Sequence, residues 1–190
     1  MKNLIRLLAL QGVLYSSMTA QFSKGEMEIS LLGSAANGQF DQVGLAGQAS
    51  TEPRAVWFLA SSFDCYVGNG LALGPEVGYL KVEHEQSALY GLGNISYTAY
   101  LPAVRVAPFV VAGYGFGSST LLNTLDDPVK KASTHFNVWI ANLGIGAKFV
   151  IGDHVLLKAM FNHRSYREPE LFGRNRLSNT GFVGSLSILL

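Results

Sequence analysis

Residues 155–164 read VLLKAMFNHR, and side chains of one kind recur at every second position of this stretch. Apolar side chains occupy one set of alternate positions: Val155, Leu157, Ala159 and Phe161. Polar and charged side chains occupy positions of the other set: Lys158, Asn162 and Arg164. Because successive side chains of a β-strand point to opposite faces, this stretch predicts a strand with one apolar face and one polar face.

The same alternation recurs along the chain. At the C-terminus one face carries Phe182, Gly184, Leu186, Ile188 and Leu190, and the other carries Ser185 and Ser187. Where a predicted strand contains charged residues, they lie opposite the bulky apolar ones. Each strand therefore has one face that is compatible with lipid.

Turn and loop lengths set the topology. Eight strands are predicted, at about residues 26–36, 54–66, 71–82, 88–100, 105–117, 136–150, 154–166 and 179–190. Short connections at 67–70, 101–104 and 151–153 alternate with mostly longer ones at 37–53, 83–87, 118–135 and 167–178. This alternation is typical of outer-membrane barrels with short periplasmic turns. It predicts an all-β, eight-stranded antiparallel up-and-down transmembrane β-barrel with both termini in the periplasm.

Pro75 and Pro108 lack the amide that a strand ladder needs, which predicts a bulge or irregular pairing at both.

Composition favours a membrane barrel over a soluble one. Charged residues make up 14% of the 190 residues and hydrophobic ones 48%, whereas soluble domains have about 25% charged residues. No apolar run after the N-terminus reaches the ~20 residues of a membrane helix. A secreted soluble barrel that binds a small apolar ligand remains an alternative, although its exterior would need more charge.

The N-terminus predicts a secretory signal peptide at residues 1–20, followed by one barrel domain at 21–190. Lys2 and Arg6 precede an apolar core at residues 7–15, and small residues lead to a cleavage site after Ala20. Without Lys2 and Arg6 the remaining 12 basic residues face 13 acidic ones, a balance that gives no indication of nucleic-acid binding. The four histidines share no metal-ligand spacing, so we expect no metal and no cofactor.

Three glycine-rich segments carry a resemblance to a known family: residues 70–74 (GLALG), 107–117 (APFVVAGYGFG) and 144–149 (GIGAKF). With them the chain resembles the small outer-membrane β-barrel proteins of the OmpX and OmpA-barrel type, although it ends in Leu190 where an aromatic residue is usual. The resemblance implies a bacterial outer-membrane monomer in contact with lipid, including lipopolysaccharide. The strand count, the alternation of the connections and the lack of a complete catalytic set predict a non-enzymatic role in envelope structure or in surface contacts through loops 37–53, 118–135 and 167–178.

The alternation predicts a set of charged residues inside the barrel: Glu28, Glu76, Arg105, Lys148, Lys158 and Arg164. The interior of an eight-stranded barrel is about wide enough for its own side chains, so an open pore is not expected. We expect these residues to form a network of salt bridges, because buried charges need partners. A gated ion path is the alternative.

His163 and Ser165 lie two residues apart on the outward face of the seventh predicted strand. The pair is similar to the His-x-Ser motif of the outer-membrane lipid A deacylases, which implies that His163 would be the base and Ser165 the nucleophile. Two features depart from that family. Tyr166 stands where asparagine is usual, and the orienting acid early in the last strand is replaced by Ser178 or Asn179. A hydrolase is therefore the alternative to the non-enzymatic barrel.

Overall fold

The computed structural model describes residues 22–43, 49–82, 87–99, 105–118, 138–167 and 176–190. These residues form the strands β1 (Met27–Val43), β2 (Ala49–Tyr66), β3 (Leu71–Val82), β4 (Ser87–Thr98), β5 (Val106–Gly117), β6 (Val138–Val150), β7 (Val155–Arg167) and β8 (Arg176–Leu189). Each strand pairs antiparallel with the next, and β8 pairs with β1, so the sheet closes into a barrel. The predicted all-β, eight-stranded antiparallel barrel is confirmed. Among the described residues, no helix has the length and apolar character needed to cross a membrane.

The first hairpin is longer than predicted. Its ladder continues from Asn37 opposite Ala55 to Val43 opposite Ala49, so most of the predicted loop 37–53 is paired strand. Backbone pairing needs no apolar side chain, and polar residues can therefore continue the ladder. For the same reason β8 begins at Arg176, inside the predicted loop 167–178. The predicted loop 118–135, apart from Ser118, and the predicted signal peptide lie outside the described residues.

The two prolines differ in their surroundings. Between β2 and β3 the paired residues reach Ser62 opposite Glu76 and resume at Cys65 opposite Leu73, so the ladder is interrupted beside Pro75. Pro108, in contrast, lies opposite Ala147 within a continuous β5–β6 ladder. Irregular pairing is thus found at Pro75, whereas the described β5–β6 ladder has no bulge at Pro108.

The barrel wall is apolar outside and mixed inside. Large apolar side chains on the outer face are exposed, some of them by more than half, such as Leu59 at 57%, Ile145 at 62% and Phe182 at 76%. Polar and charged side chains, together with a set of apolar ones, fill the lumen. Lipid contact requires this arrangement, and a soluble ligand-carrying barrel would have the reverse one.

Apolar layers lie toward both ends of the lumen. At the end where the described chain begins and finishes, called here the terminal end, Phe22 is buried and its ring centroid lies 5.5 Å from that of Tyr66. The Gly70 amide also donates a 2.9 Å hydrogen bond to the Phe22 carbonyl. Toward the opposite end, called the distal end, an apolar layer contains Val56, Leu80, Val138, Ile140 and Tyr166, all fully buried. The polar part of the lumen lies between these layers.

Candidate functional site

A cluster of charged side chains lies toward the terminal end of the lumen. This terminal cluster consists of Glu28, Asp64, Lys148 and Lys158, with Tyr66 and Ser30 bound to them. Lys148 Nζ lies 2.8 Å from Glu28 Oε2, and Lys158 Nζ contacts Glu28 Oε1. The Tyr66 hydroxyl donates to Glu28 Oε2 at 2.8 Å. One carboxylate therefore binds two ammonium groups.

The pairing of β6 with β7 explains why a carboxylate is needed at this position. Lys148 on β6 and Lys158 on β7 are direct cross-strand partners and face the lumen together. Like charges directly opposite each other on neighbouring strands destabilise a sheet. Glu28 on β1 offsets this repulsion by giving one carboxylate oxygen to each lysine.

A second cluster, the distal cluster, lies nearer the opposite end. It consists of Glu76, Arg164, Tyr90, Asn94 and Asn142. Arg164 Nη2 donates to Glu76 Oε1 at 2.6 Å, and Asn94 Nδ2 donates to Glu76 Oε2 at 3.1 Å. Arg164 also donates to the Tyr90 hydroxyl, and its guanidinium stacks 4.1 Å from the centre of the Phe58 ring. Stacking and paired hydrogen bonds are the contacts for which arginine is suited.

Five of the six charged residues predicted for the interior lie in these two clusters: Glu28, Glu76, Lys148, Lys158 and Arg164. Arg105 does not. It is exposed, it precedes the first residue of β5, and its φ of 48° lies in the left-handed region. The alternation that would point it inward holds only within a strand, so the prediction for Arg105 is wrong.

Sequence analysis missed several members of the clusters. Asp64, Tyr66, Tyr90, Asn94 and Asn142 are all buried in the lumen. Their positions follow the same alternation, because Asp64 and Tyr66 flank Cys65 on the inward face of β2. The same alternation is the sequence signal that identifies Asp64 as an inward-facing residue.

On the outer face, His163 and Ser165 lie near the distal end of β7. His163 is exposed and Ser165 is half-buried. The imidazole Nδ1 lies 2.7 Å from the Thr180 hydroxyl oxygen on β8, directly opposite in the ladder. Of the two residues considered for the missing acid, Asn179 is buried in the lumen and Ser178 lies opposite Ser165. Thr180 therefore lies beside the imidazole, where the orienting acid was expected.

An apolar groove of about 550 Å³ reaches His163 along the outer wall. Its lining includes Ile95, Ala112, Leu143 and His163, which form one cross-strand row. The small side chain of Ala112 leaves a depression between Ile95 and Leu143. The groove thus joins a polar group to an apolar channel on the same face.

Aromatic side chains and a cation border this region at the distal end. The Trp139 ring lies 4.7 Å from that of Phe116 and 5.4 Å from that of Tyr114, measured between centroids. Exposed Arg167 is the cross-strand partner of Trp139. Aromatic belts and cations of this kind are typical of the membrane–water interface. In the part of the chain that the structure describes, no three His, Cys, Asp or Glu side chains are grouped so as to hold a metal ion.

Comparison with known proteins finds likeness in structure only. No family model matches the sequence, and no curated protein matches it. Neisserial surface protein A (NspA) is similar with a TM-score of 0.54 at 11% identity, covering 87% of this chain and 99% of that one. The outer-membrane enzyme PagL has a TM-score of 0.52 at 18% identity, covering 83% and 97%.

The N-terminal β-barrel domain of Pseudomonas aeruginosa OprF is also similar, with a TM-score of 0.51 at 14% identity, covering 88% of this chain and 98% of that one. Identities this low carry information about the fold alone. The neighbours include an enzyme, so the fold by itself does not decide between the two functions considered above. Together with the apolar outer wall, these likenesses establish that the chain has the fold of the small outer-membrane β-barrel proteins.

Proposed function

We propose that this protein is a non-enzymatic outer-membrane barrel with a sealed lumen, acting through its outer surface and loops, with both termini in the periplasm. The observation that carries the proposal is the filling of the lumen by the terminal and distal clusters. Glu28 and Asp64 balance the charges of Lys148 and Lys158 in the terminal cluster. Glu76 balances Arg164 in the distal cluster. This filling, in the part of the barrel that the structure describes, supports a lumen without a continuous aqueous path for ions.

Conductance tests the sealed lumen. The purified protein is reconstituted into planar lipid bilayers, with a porin of known conductance inserted in parallel to establish that insertion is detected. We expect no stepwise current from this protein. A steady open-state conductance would overturn the proposal and favour the ion path.

Surface labelling tests the location and orientation. One epitope is inserted between residues 44 and 48, in the β1–β2 connection, and another is appended after Leu190. On intact cells we expect an antibody to bind the first epitope and to reach the second only after the outer membrane is opened. The reverse result would overturn the proposed orientation.

A second candidate function, hydrolysis of an acyl ester, is favoured by the contact between His163 and Thr180. A hydrogen bond from Nδ1–H to the Thr180 hydroxyl would hold the imidazole with its Nε2 lone pair free. Nε2 could then take the proton of Ser165, whose oxygen would attack the ester carbonyl and form an acyl-serine while the imidazolium returns the proton to the leaving alcohol. Water, deprotonated by the same imidazole, would then cleave the acyl-serine ester and release the fatty acid and the free serine. Threonine is uncharged, so it would stabilise the imidazolium less than a carboxylate does.

The surroundings of His163 suggest the class of substrate for that reaction. The groove would take an acyl chain, and Arg167 beside Trp139 would lie at the level of an anionic headgroup. An outer-leaflet lipid with ester-linked chains, such as lipopolysaccharide, has both parts. PagL, a structural neighbour, is described as an outer-membrane enzyme, so this fold is compatible with catalysis.

Fatty-acid release separates the two candidates. Lipopolysaccharide is incubated with the wild type, with Ser165→Ala and with Ser178→Ala, a matched control because Ser178 is the cross-strand partner of Ser165. The hydrolase predicts release by the wild type and by Ser178→Ala, and none by Ser165→Ala. Equal release by all three proteins, or no release by any, would remove this candidate.

A further inference from the structure

A small cavity lies in the lumen between the terminal and distal clusters. Its volume is about 30 Å³. Members of both clusters line it: Asp64, Lys148 and Lys158 from the terminal cluster, and Glu76, Asn94 and Asn142 from the distal cluster. We propose that this cavity is a binding site for water that joins the two clusters into one hydrogen-bonded network.

Two polar atoms beside this cavity need partners. Asn94 uses Nδ2 to bind Glu76, and Asn142 uses Oδ1 to accept from Arg164. Their remaining polar atoms, Asn94 Oδ1 and Asn142 Nδ2, are buried and have no hydrogen-bond partner among the described residues. Leaving a buried donor or acceptor unsatisfied costs about 1–3 kcal/mol. A ligand that accepts from one amide and donates to the other removes both penalties.

Size and charge identify that ligand as water. One water molecule takes up about 30 Å³ of the liquid, so a cavity of about 30 Å³ has room for water. Across the two clusters the carboxylates of Glu28, Asp64 and Glu76 balance the cations Lys148, Lys158 and Arg164. A bound ion would disturb that balance, whereas water is neutral and both donates and accepts.

Gly113 makes room for the amide that faces the ligand. It lies on β5 between its two cross-strand partners, Asn94 on β4 and Asn142 on β6. A Cβ atom built on Gly113 would overlap Asn94 Oδ1 and would lie 3.4 Å from the Cβ of Asn142. An alanine here would push the Asn94 amide from its position beside the cavity. The water site therefore depends on glycine at this position.

Nuclear magnetic resonance on the labelled barrel in lipid nanodiscs tests the site. Water-to-protein Overhauser transfer is measured at the side-chain amide protons of Asn142, and the rotating-frame experiment separates dipolar transfer from proton exchange. We expect dipolar transfer in the wild type and its loss in Gly113→Ala. The matched control is Gly184→Ala, because Gly184 faces outward and a Cβ built there meets no atom within 4 Å. The transfer should persist in that variant.

Three results would overturn the proposal. The first is a resolved Asn142 side-chain signal without dipolar transfer from water in the wild type, which decides the matter even if Gly113→Ala does not fold. The second is transfer that is unchanged in a folded Gly113→Ala variant. The third is a shift of the Asn142 signal that depends on chloride or sodium concentration, since the ligand would then be an ion. These outcomes are independent of the conductance and fatty-acid measurements.

Discussion

Replacing Glu28 by glutamine should destabilise the barrel more than any other single change of charge in the terminal cluster. Glu28 is fully buried and binds both Lys148 and Lys158. In Glu28→Gln the two lysines would remain opposite each other, with Asp64 as the remaining carboxylate of the terminal cluster. Asp64 Oδ2 lies 4.0 Å from Lys158 Nζ, so Lys148 would lose its direct ionic partner.

The expected loss follows from this geometry. Breaking a buried ion pair by removing one partner typically costs about 3–5 kcal/mol. Since one carboxylate serves two lysines here, we expect the free energy of unfolding to fall by at least the lower figure. The double variant Glu28→Gln with Lys148→Met removes the charge left without a partner. It should therefore lose less than the sum of its two single variants, with a coupling of about 0.5–3 kcal/mol.

Guanidinium unfolding of the barrel in lipid vesicles measures these changes. Trp57 and Trp139 are 57% and 37% exposed on the outer wall, so their fluorescence reports the loss of lipid contact. Glu26→Gln is the matched control, because Glu26 is half-buried before the start of β1 and accepts a hydrogen bond from the Ser23 amide. It should cost about 1 kcal/mol. A Glu28→Gln loss no larger than that of the control would refute the reasoning.

Three further predictions concern packing and the lipid-facing wall and use the same unfolding measurement. Gly78→Ala should lower the free energy of unfolding by about 1–3 kcal/mol, because its Cβ would overlap the ring of Tyr90, which the distal cluster holds in place. An unchanged free energy of unfolding would mean that the ring is free to move. Ile145→Arg should cost about 2–4 kcal/mol near the middle of the wall, whereas Ile151→Arg at the terminal end should cost little; equal costs would contradict the apolar-out wall. Phe22→Ala should cost about 3 kcal/mol through the cavity left against Tyr66, and an unchanged unfolding midpoint would show that Phe22 does not stabilise the barrel.

Alternation along the strands was enough to predict the fold and the faces of most charged residues. Lys158 and Arg164 lie inside because they alternate with Leu157, Phe161 and His163. The two-residue period assigns a side chain to a face only within a strand. Arg105 lies one residue before β5, so the prediction that its side chain points inward is wrong. The same limit applies to strand ends, since polar residues such as Asn37 continue the ladder without an apolar signal.

The sequence alone does not predict which side chains contact each other across the lumen. Glu28 binds Lys148 over a separation of 120 residues, and Glu76 binds Arg164 over 88. Alternation shows that these side chains share the interior but not the height at which each one lies. The contact of His163 with Thr180 has the same origin, because it depends on the register of β7 against β8. Register is set by pairing along the whole ladder, and no local motif encodes it.

Alternation of apolar and polar residues does not distinguish between strand registers that differ by two residues, because every side chain keeps its face. The contacts within the two clusters do distinguish between them. A slip of one residue would turn the charged side chains toward lipid, and the apolar pattern alone opposes it. A slip of two residues preserves every face but moves a side chain by about 7 Å along its strand. That displacement would separate Lys148 from Glu28 and Arg164 from Glu76. Because β3 and β7 lie on opposite sides of the closed sheet, the bond between Glu76 and Arg164 fixes the relative height of strands that share no ladder. The buried ion pairs therefore disfavour a slip of two residues, which the apolar outer face alone does not oppose.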